Sequence, residues 1–339
     1  MKIWKLAQWL TLLLFVVLAN GCTTSNNVLP TPVTLSVTPT TVFPTETITP
    51  LSAPVDTVTP VPTPTLTSVP TLSTNSARQE WFDLLANNGG CKLPCFWGIT
   101  PGKSDYRTAR NLLMPLSGIA EKALTRFEPI NGILGGWIHL SDAEGELHFN
   151  TDIAYLYGED NIVSVIWFRT LEEKVVADPR DPSGESWLSK TPIFDLPTFG
   201  KRVEYYSLSH VLSEQGIPDS VLIYIPRVEG QPIVAGLMES ALIYPEQGIW
   251  VKYTIRMYND GNILRGCPTN AHIEMVLLPP GSPDNFYEFL DKTDWHQTKG
   301  GFKPIEEATS MSVEEFYQTF HISSKKCIET PANLWSPPK

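Results

Sequence analysis

LYGEDNIV at residues 156–163 and MYNDGNIL at residues 257–264 decide the fold. Each places residues that tolerate positive φ between two β-prone runs: Gly158 to Asn161 in the first, Asn259, Asp260 and Gly261 in the second. Such turns join neighbouring antiparallel strands, whereas parallel strands need a long crossover. The two stretches align at an offset of 101, and a second correspondence lies upstream of each. Asp105, Tyr106 and Ala109 match Ser207, Leu208 and Val211 at an offset of 102, a capping residue followed by apolar positions at helical spacing. Nearly equal offsets at separated points predict two units of about 100 residues.

Both units read as a helix followed by strands. The first has a helix over 105–114, stopped by Pro115 and Gly118, then β runs at 137–140, 146–150, 153–157 and 162–169. The second has a helix over 207–215, closed by Gly216 and Pro218, then β runs at 220–225, 237–244, 249–258 and 272–278. Alternation is cleanest in IWVKYTIRMY at 249–258, where Val251, Tyr253, Ile255 and Met257 take one face and Lys252, Thr254 and Arg256 the other. That is the pattern of an antiparallel sheet with one wet face and one face packed on a helix. Ser76 with Gln79 and Ser312 with Glu315 form capping boxes for flanking helices; in the latter, Val313, Phe316, Tyr317 and Phe320 make a core stripe. The expected class is α+β, two tandem helix-plus-antiparallel-sheet units with flanking helices. The first unit is placed at 77–180, a connector at 181–200, the second unit at 201–280, and a C-terminal helical segment packed on it at 281–339.

Upstream of the folded region, Lys2 and Lys5 precede an apolar stretch from Leu10 to Ala19, short for a bilayer span, that runs into Asn20, Gly21 and Cys22. This predicts a lipoprotein signal peptide over 1–21 with Cys22 as the lipidated membrane anchor; a plain secretory signal or a single anchor helix is the alternative. Residues 22–76 are dominated by Thr, Pro, Ser and Val, with Glu46 and Asp56 their only charges. Such a segment buries no core and favours extended conformations, so it reads as a disordered stalk, on the order of 100 Å long if fully extended. Its Thr density suits O-glycosylation. The expected location is extracytoplasmic, anchored to the cell membrane. Net charge is −11 for the chain and −13 once Lys2 and Lys5 leave with the signal, a sign that repels phosphate backbones and argues against nucleic-acid binding.

Four cysteines remain: Cys91, Cys95, Cys267 and Cys327. In an oxidising compartment an even count predicts disulfides, and the favoured pairing is Cys91 with Cys95 and Cys267 with Cys327. A redox or metal site is the other use, set against by a spacing of three residues rather than two and by the lack of a nearby histidine.

Catalytic motifs are wanting. GITPGKS at 98–104 has one residue too few between its glycines for a phosphate-binding loop and reads as a turn ahead of the helix capped by Asp105. His139 and His148, near Asp142, Glu144 and Glu146, suggest a metal only if a hairpin brings them together, and a solvated turn is the plainer reading. Ser209 and His210 are helix neighbours that do not face each other. Asp178, Asp181 and Glu185 fall in the connector DPRDPSGES. No catalytic residue, cofactor or metal ligand is assigned.

GGCKLPCFWGITPGKS at 89–104, YYSLSHVLSEQGIPDSV at 205–221, ATSMSVEEFYQTF at 308–320 and CIETPANLW at 327–335 resemble Thr/Pro-stalked bacterial lipoproteins of no known activity. The resemblance covers most of the folded region and transfers no site. More loosely, each unit is similar to the beta-lactamase inhibitor protein and to the small outer-membrane lipoprotein of the beta-barrel assembly machinery, both of which bind proteins. This second likeness rests on element order and the Gly-x-Pro helix exit at 216–218, which the first unit lacks. The resulting expectation is a non-catalytic surface module for a protein, peptide or glycan ligand. An exported hydrolase is the alternative, to be distinguished by converging carboxylates or histidines in a cleft.

Overall fold

A computed structural model describes residues 70–130, 133–144, 147–158, 160–176, 189–192, 197–226, 235–281 and 301–335. All lie in the compact unit running from Thr65 to Lys339. Cys22 and nearly all of the stalk lie outside the described residues, as do Asp178, Asp181, Glu185 and Glu146. No helix among the described residues is long and apolar enough to cross a membrane.

Helix α1 (Thr74–Asn87) buries Ala77, Trp81 and Leu85, four residues apart on one face. Its cap is Ser73, whose hydroxyl accepts from the Ser76 N–H at 3.3 Å, three residues ahead of the expected cap. Asn88, at φ 54°, ends it. Helix α2 (Tyr106–Leu113) starts where expected, the Asp105 carboxylate accepting from the Thr108 N–H at 2.7 Å. Strands β1 (Ala120–Ile130), β2 (Ile133–Glu144), β3 (Leu147–Tyr157) and β4 (Val163–Val176) follow. The runs expected at 146–150 and 153–157 are one strand, β3. Strand β1 was not expected, because Glu121, Lys122, Arg126, Glu128 and Pro129 break any apolar alternation; it lies at the sheet edge, where such residues discourage pairing with other chains.

After β5 (Ser189–Pro192) and the short helix α3 (Pro197–Arg202) comes a second helix followed by strands. Helix α4 (Leu208–Gln215) is capped by Ser207 and stopped by Gly216. Strands β6 (Ser220–Tyr224), β7 (Ala235–Tyr244) and β8 (Ile249–Asp260) come next, and then β9 (Ile263–Gly266) and β10 (His272–Leu277) return along β8, separated by a 3-10 turn at Pro268–Asn270. Helices start at 106 and 208, and strands at 133 and 235 and at 147 and 249, each pair 102 apart. The offset of 101 therefore fails as a strand alignment: it pairs Leu156 with Met257, which face opposite sides of the sheet, since a one-residue slip inverts every side chain.

The strands form one twelve-stranded sheet in the order β1-β2-β3-β4-β10-β8-β7-β6-β11, where β11 is Lys303–Pro304. The two halves thus join edge to edge, Ile166–Thr170 of β4 pairing antiparallel with Ile273–Leu277 of β10. The remaining C-terminal elements, α5 (Ile305–Ala308), α6 (Val313–Phe320) and β12 (Ile328–Pro331, paired with β9), pack on the second half. Helix α6 carries the expected capping box of Ser312 and Glu315. Disulfides join Cys91 to Cys95 and Cys267 to Cys327. The molecule is α+β, with an antiparallel sheet under a helical layer.

One face of the sheet carries the main core. Ile138, Ile153, Tyr155, Phe168, Met238, Val251, Tyr253, Ile255 and Met275 meet Trp81, Leu113, Leu212, Phe316 and Phe320 from the helices. The helices contribute Trp81, Leu85, Ala109, Leu113, Leu208, Val211, Leu212, Phe316 and Phe320 to this layer. The opposite face holds a smaller cluster, Val165, Ala241, Ile243, Trp250, Val276 and Leu278, with Phe302 packed against it.

Candidate functional site

That second face carries a row of charged side chains beside a row with three tryptophans. Cross-strand register places His139 (β2), Asp152 (β3), Arg169 (β4), Glu274 (β10) and Lys252 (β8) directly opposite one another in a single row. Two residues along each strand, Trp137, Ala154, Trp167, Val276 and Trp250 make a second row beside it. Strands β2, β4 and β8 run in the same direction, so the segments WIH at 137–139, WFR at 167–169 and WVK at 250–252 present one arrangement three times.

Each indole is stacked by the basic residue two positions on. The His139 and Trp137 ring centres are 5.9 Å apart, the Arg169 guanidinium carbon is 5.5 Å from the Trp167 ring, and Lys252 Nζ is 5.9 Å from the Trp250 ring. Trp137 and Trp167 stand two strands apart, about 10 Å, with Ala154 as a low floor between them. Trp250 is buried, whereas Trp137, Ala154 and Trp167 are half-exposed.

Intervening strands supply the carboxylates. Asp152 accepts from Arg169 Nη2 at 2.7 Å and Nε at 3.2 Å, and its other oxygen is 2.6 Å from His139 Nδ1. Burial pushes the Asp152 carboxyl up, but the hydrogen bonds from His139 and Arg169 and the charge of Arg169 outweigh it, and the net position is below the ordinary carboxylate value. Glu274 accepts from Trp167 Nε1 at 3.0 Å and pairs with Lys252 Nζ at 2.8 Å; Glu239, on β7, lies 3.5 Å from the same ammonium. Burial drives the Glu239 carboxyl up, and although burial disfavours the Lys252 charge, the two carboxylates hold that ammonium above its ordinary value. Of the row, Arg169 is the most accessible, its side chain 44% exposed against 5% for Asp152. Fixed, mutually neutralised charges beside half-exposed indoles are suited to recognition, since rigid aromatic and Arg side chains lose little freedom on contact.

The residues singled out from sequence are placed differently. His139 sits opposite Asp152 and His148 opposite Ala143, two rows apart on one face, so roughly 13 Å of strand separates them and they do not converge. Among the described residues no group of three or more His, Cys, Asp or Glu is placed to hold a metal ion. The 98–104 turn is structural: Gly102 N–H donates to Val163 O at 2.7 Å, Val163 N–H to Ser104 O at 2.8 Å, and Thr100 N–H to Ser104 Oγ at 2.9 Å. Ser209 bonds Ser324, their hydroxyls 2.9 Å apart, while the His210 ring lies 4.5 Å from Tyr205. The cysteine motif also serves the core. Phe96 and Trp97, both buried, stack at 4.6 Å, and buried Asn88 bonds the carbonyls of Cys91 and Cys95, each at 2.8 Å.

Sequence reasoning missed the second face as a site, although Trp-x-basic occurs three times in strand-forming stretches. No family model, no curated protein and no solved structure matches this chain at a significant level.

Proposed function

We propose that the protein is an extracytoplasmic lipoprotein, anchored through Cys22 and spaced from the membrane by the Thr/Pro-rich segment that ends ahead of α1, whose second sheet face binds a protein or glycan ligand and catalyses nothing. The single observation that carries the binding reading is the threefold Trp-plus-base arrangement on β2, β4 and β8, interleaved with Asp152 and Glu274. Within it, Trp137, Ala154, Trp167 and Arg169 form the accessible part. The apolar stretch ending at Gly21-Cys22 and the Thr/Pro segment after it support the anchor and the stalk.

Capture from envelope extracts and on glycan arrays tests the binding reading. Full-length protein retains a ligand that the Trp167→Ala, Arg169→Ala double variant loses, with the fold checked by near-UV circular dichroism. Hydrolytic turnover that disappears with His139→Ala refutes the reading in favour of an exported hydrolase. For the anchor, intact mass shows a lipidated Cys22 at the mature N-terminus, and Cys22→Ser releases the protein from membranes.

A further inference from the structure

The Cys91–Cys95 loop is built unlike the molecule's other disulfide. Cys267–Cys327 closes a sequence separation of 60, whereas Cys91–Cys95 closes 4, so the chain-entropy gain from the short link is the smaller. The short loop is also held without its sulfurs. Asn88 Nδ2 donates to Cys91 O and Cys95 O, both at 2.8 Å, and Cys95 N–H donates to Lys92 O at 2.9 Å; the Tyr205 hydroxyl is 2.9 Å from both Cys91 O and the Glu214 carboxylate. Opening the S–S bond therefore leaves two thiols in place, and both cysteines are half-buried rather than sealed.

The two sulfurs differ. Gly98 N–H donates to Cys91 Sγ at 3.3 Å, and the Asn88 carbonyl oxygen, also 3.3 Å away, accepts from that sulfur once it carries a proton. Gly98 sits at φ 86°, a conformation that glycine reaches at no steric cost. Hydrogen bonds donated to sulfur favour the thiolate, and a stabilised thiolate is the better leaving group.

We propose that Cys91–Cys95 is a thiol–disulfide exchange site whose substrates are protein dithiols. A substrate thiolate attacks Cys95 Sγ; the S–S bond breaks, and its electron pair leaves on Cys91 Sγ, held by the Gly98 N–H. The substrate's second thiolate then attacks the substrate sulfur of the mixed disulfide and releases Cys95 as a thiolate. The substrate departs as a disulfide, and its two electrons and two protons remain on Cys91 and Cys95. A disulfide-bearing partner restores the site by the reverse sequence. None of this depends on the sheet face.

The test titrates the full chain with dithiothreitol, quenches by alkylation and maps peptides, with near-UV circular dichroism as the monitor of fold. Cys91–Cys95 opens at about a tenth of the dithiol concentration that opens Cys267–Cys327, with the tertiary signal kept. At pH 7 Cys91 of the opened pair is alkylated about tenfold faster than Cys95. A reduced peptide carrying two cysteines is oxidised at one disulfide per chain, and the Cys91→Ser, Cys95→Ser double variant does not oxidise it. Joint opening of both disulfides, loss of the tertiary signal with the first, equal alkylation of the two thiols, or an unoxidised peptide overturns the proposal.

Discussion

Trp97 and Tyr206, 109 residues apart, meet in the core, where the indole Nε1 donates to the phenol oxygen at 3.0 Å. The Tyr206 hydroxyl in turn donates to Asn88 Oδ1 at 2.8 Å, and complete burial pushes that phenol well above its ordinary value, so it stays protonated. This chain of bonds fixes the cysteine loop to the segment ahead of α4.

Replacing Tyr206 by Phe leaves the buried Trp97 N–H without its partner. The expected loss is about 1–3 kcal/mol, read as a lower urea midpoint at unchanged slope. Trp97→Phe costs a similar amount, and the double variant costs less than the two together, because both changes break the same bond.

Asp152 makes a pH-dependent contribution. Its folded carboxyl titrates below the unfolded value of 3.8, so its stabilisation is present above that value and is lost as pH falls through the folded one. Asp152→Asn lowers stability at pH 7 and flattens the fall of stability below about pH 4, measured by thermal melts across a pH series. An unchanged acid limb contradicts this.

Lys252→Met leaves Glu239 and Glu274 facing each other without their shared cation. Stability at pH 7 falls, and part of it returns on acidification toward pH 5 as Glu239, already pushed up, takes a proton. In the parent chain the raised Lys252 value means its stabilisation is complete below 10.5 and fades only as pH rises through the folded value. Urea midpoints at pH 5 and 7 for both proteins check the sign.

Gly136 backs onto the Tyr155 ring, and a Cβ there meets the phenol carbon and oxygen at 2.5 Å. Gly136→Ala is expected to cost about 1–3 kcal/mol through overpacking. Adding Tyr155→Leu recovers part of that cost in a double-mutant cycle, whereas additive losses exclude the clash.

What the sequence disclosed was local. Caps at Asp105, Ser207 and Ser312, the alternation of residues 249–258 and the α+β class all rest on contacts within a few residues, and the structure holds each of them. The α1 cap was misplaced because Ser73 and Ser76 offer the same hydroxyl one turn apart. Long-range register was not legible: nothing near Phe168 announces that Met275 will lie beside it, and that pairing turns two sheets into one. The face bearing Trp137, Trp167 and Trp250 was hidden for the same reason, since its rows exist only once β2, β4 and β8 are laid side by side.

Because β4 and β10 are each other's neighbours, neither half of the molecule finishes in an edge of its own at that point. A fragment stopping near residue 204 would uncover the backbone N–H and C=O groups of Ile166–Thr170 beside Phe168 and Trp167, a margin on which Arg169 is the single charge. Such a margin recruits further copies of itself. The halves are therefore inseparable in practice, and cutting between them yields aggregates rather than two small soluble proteins.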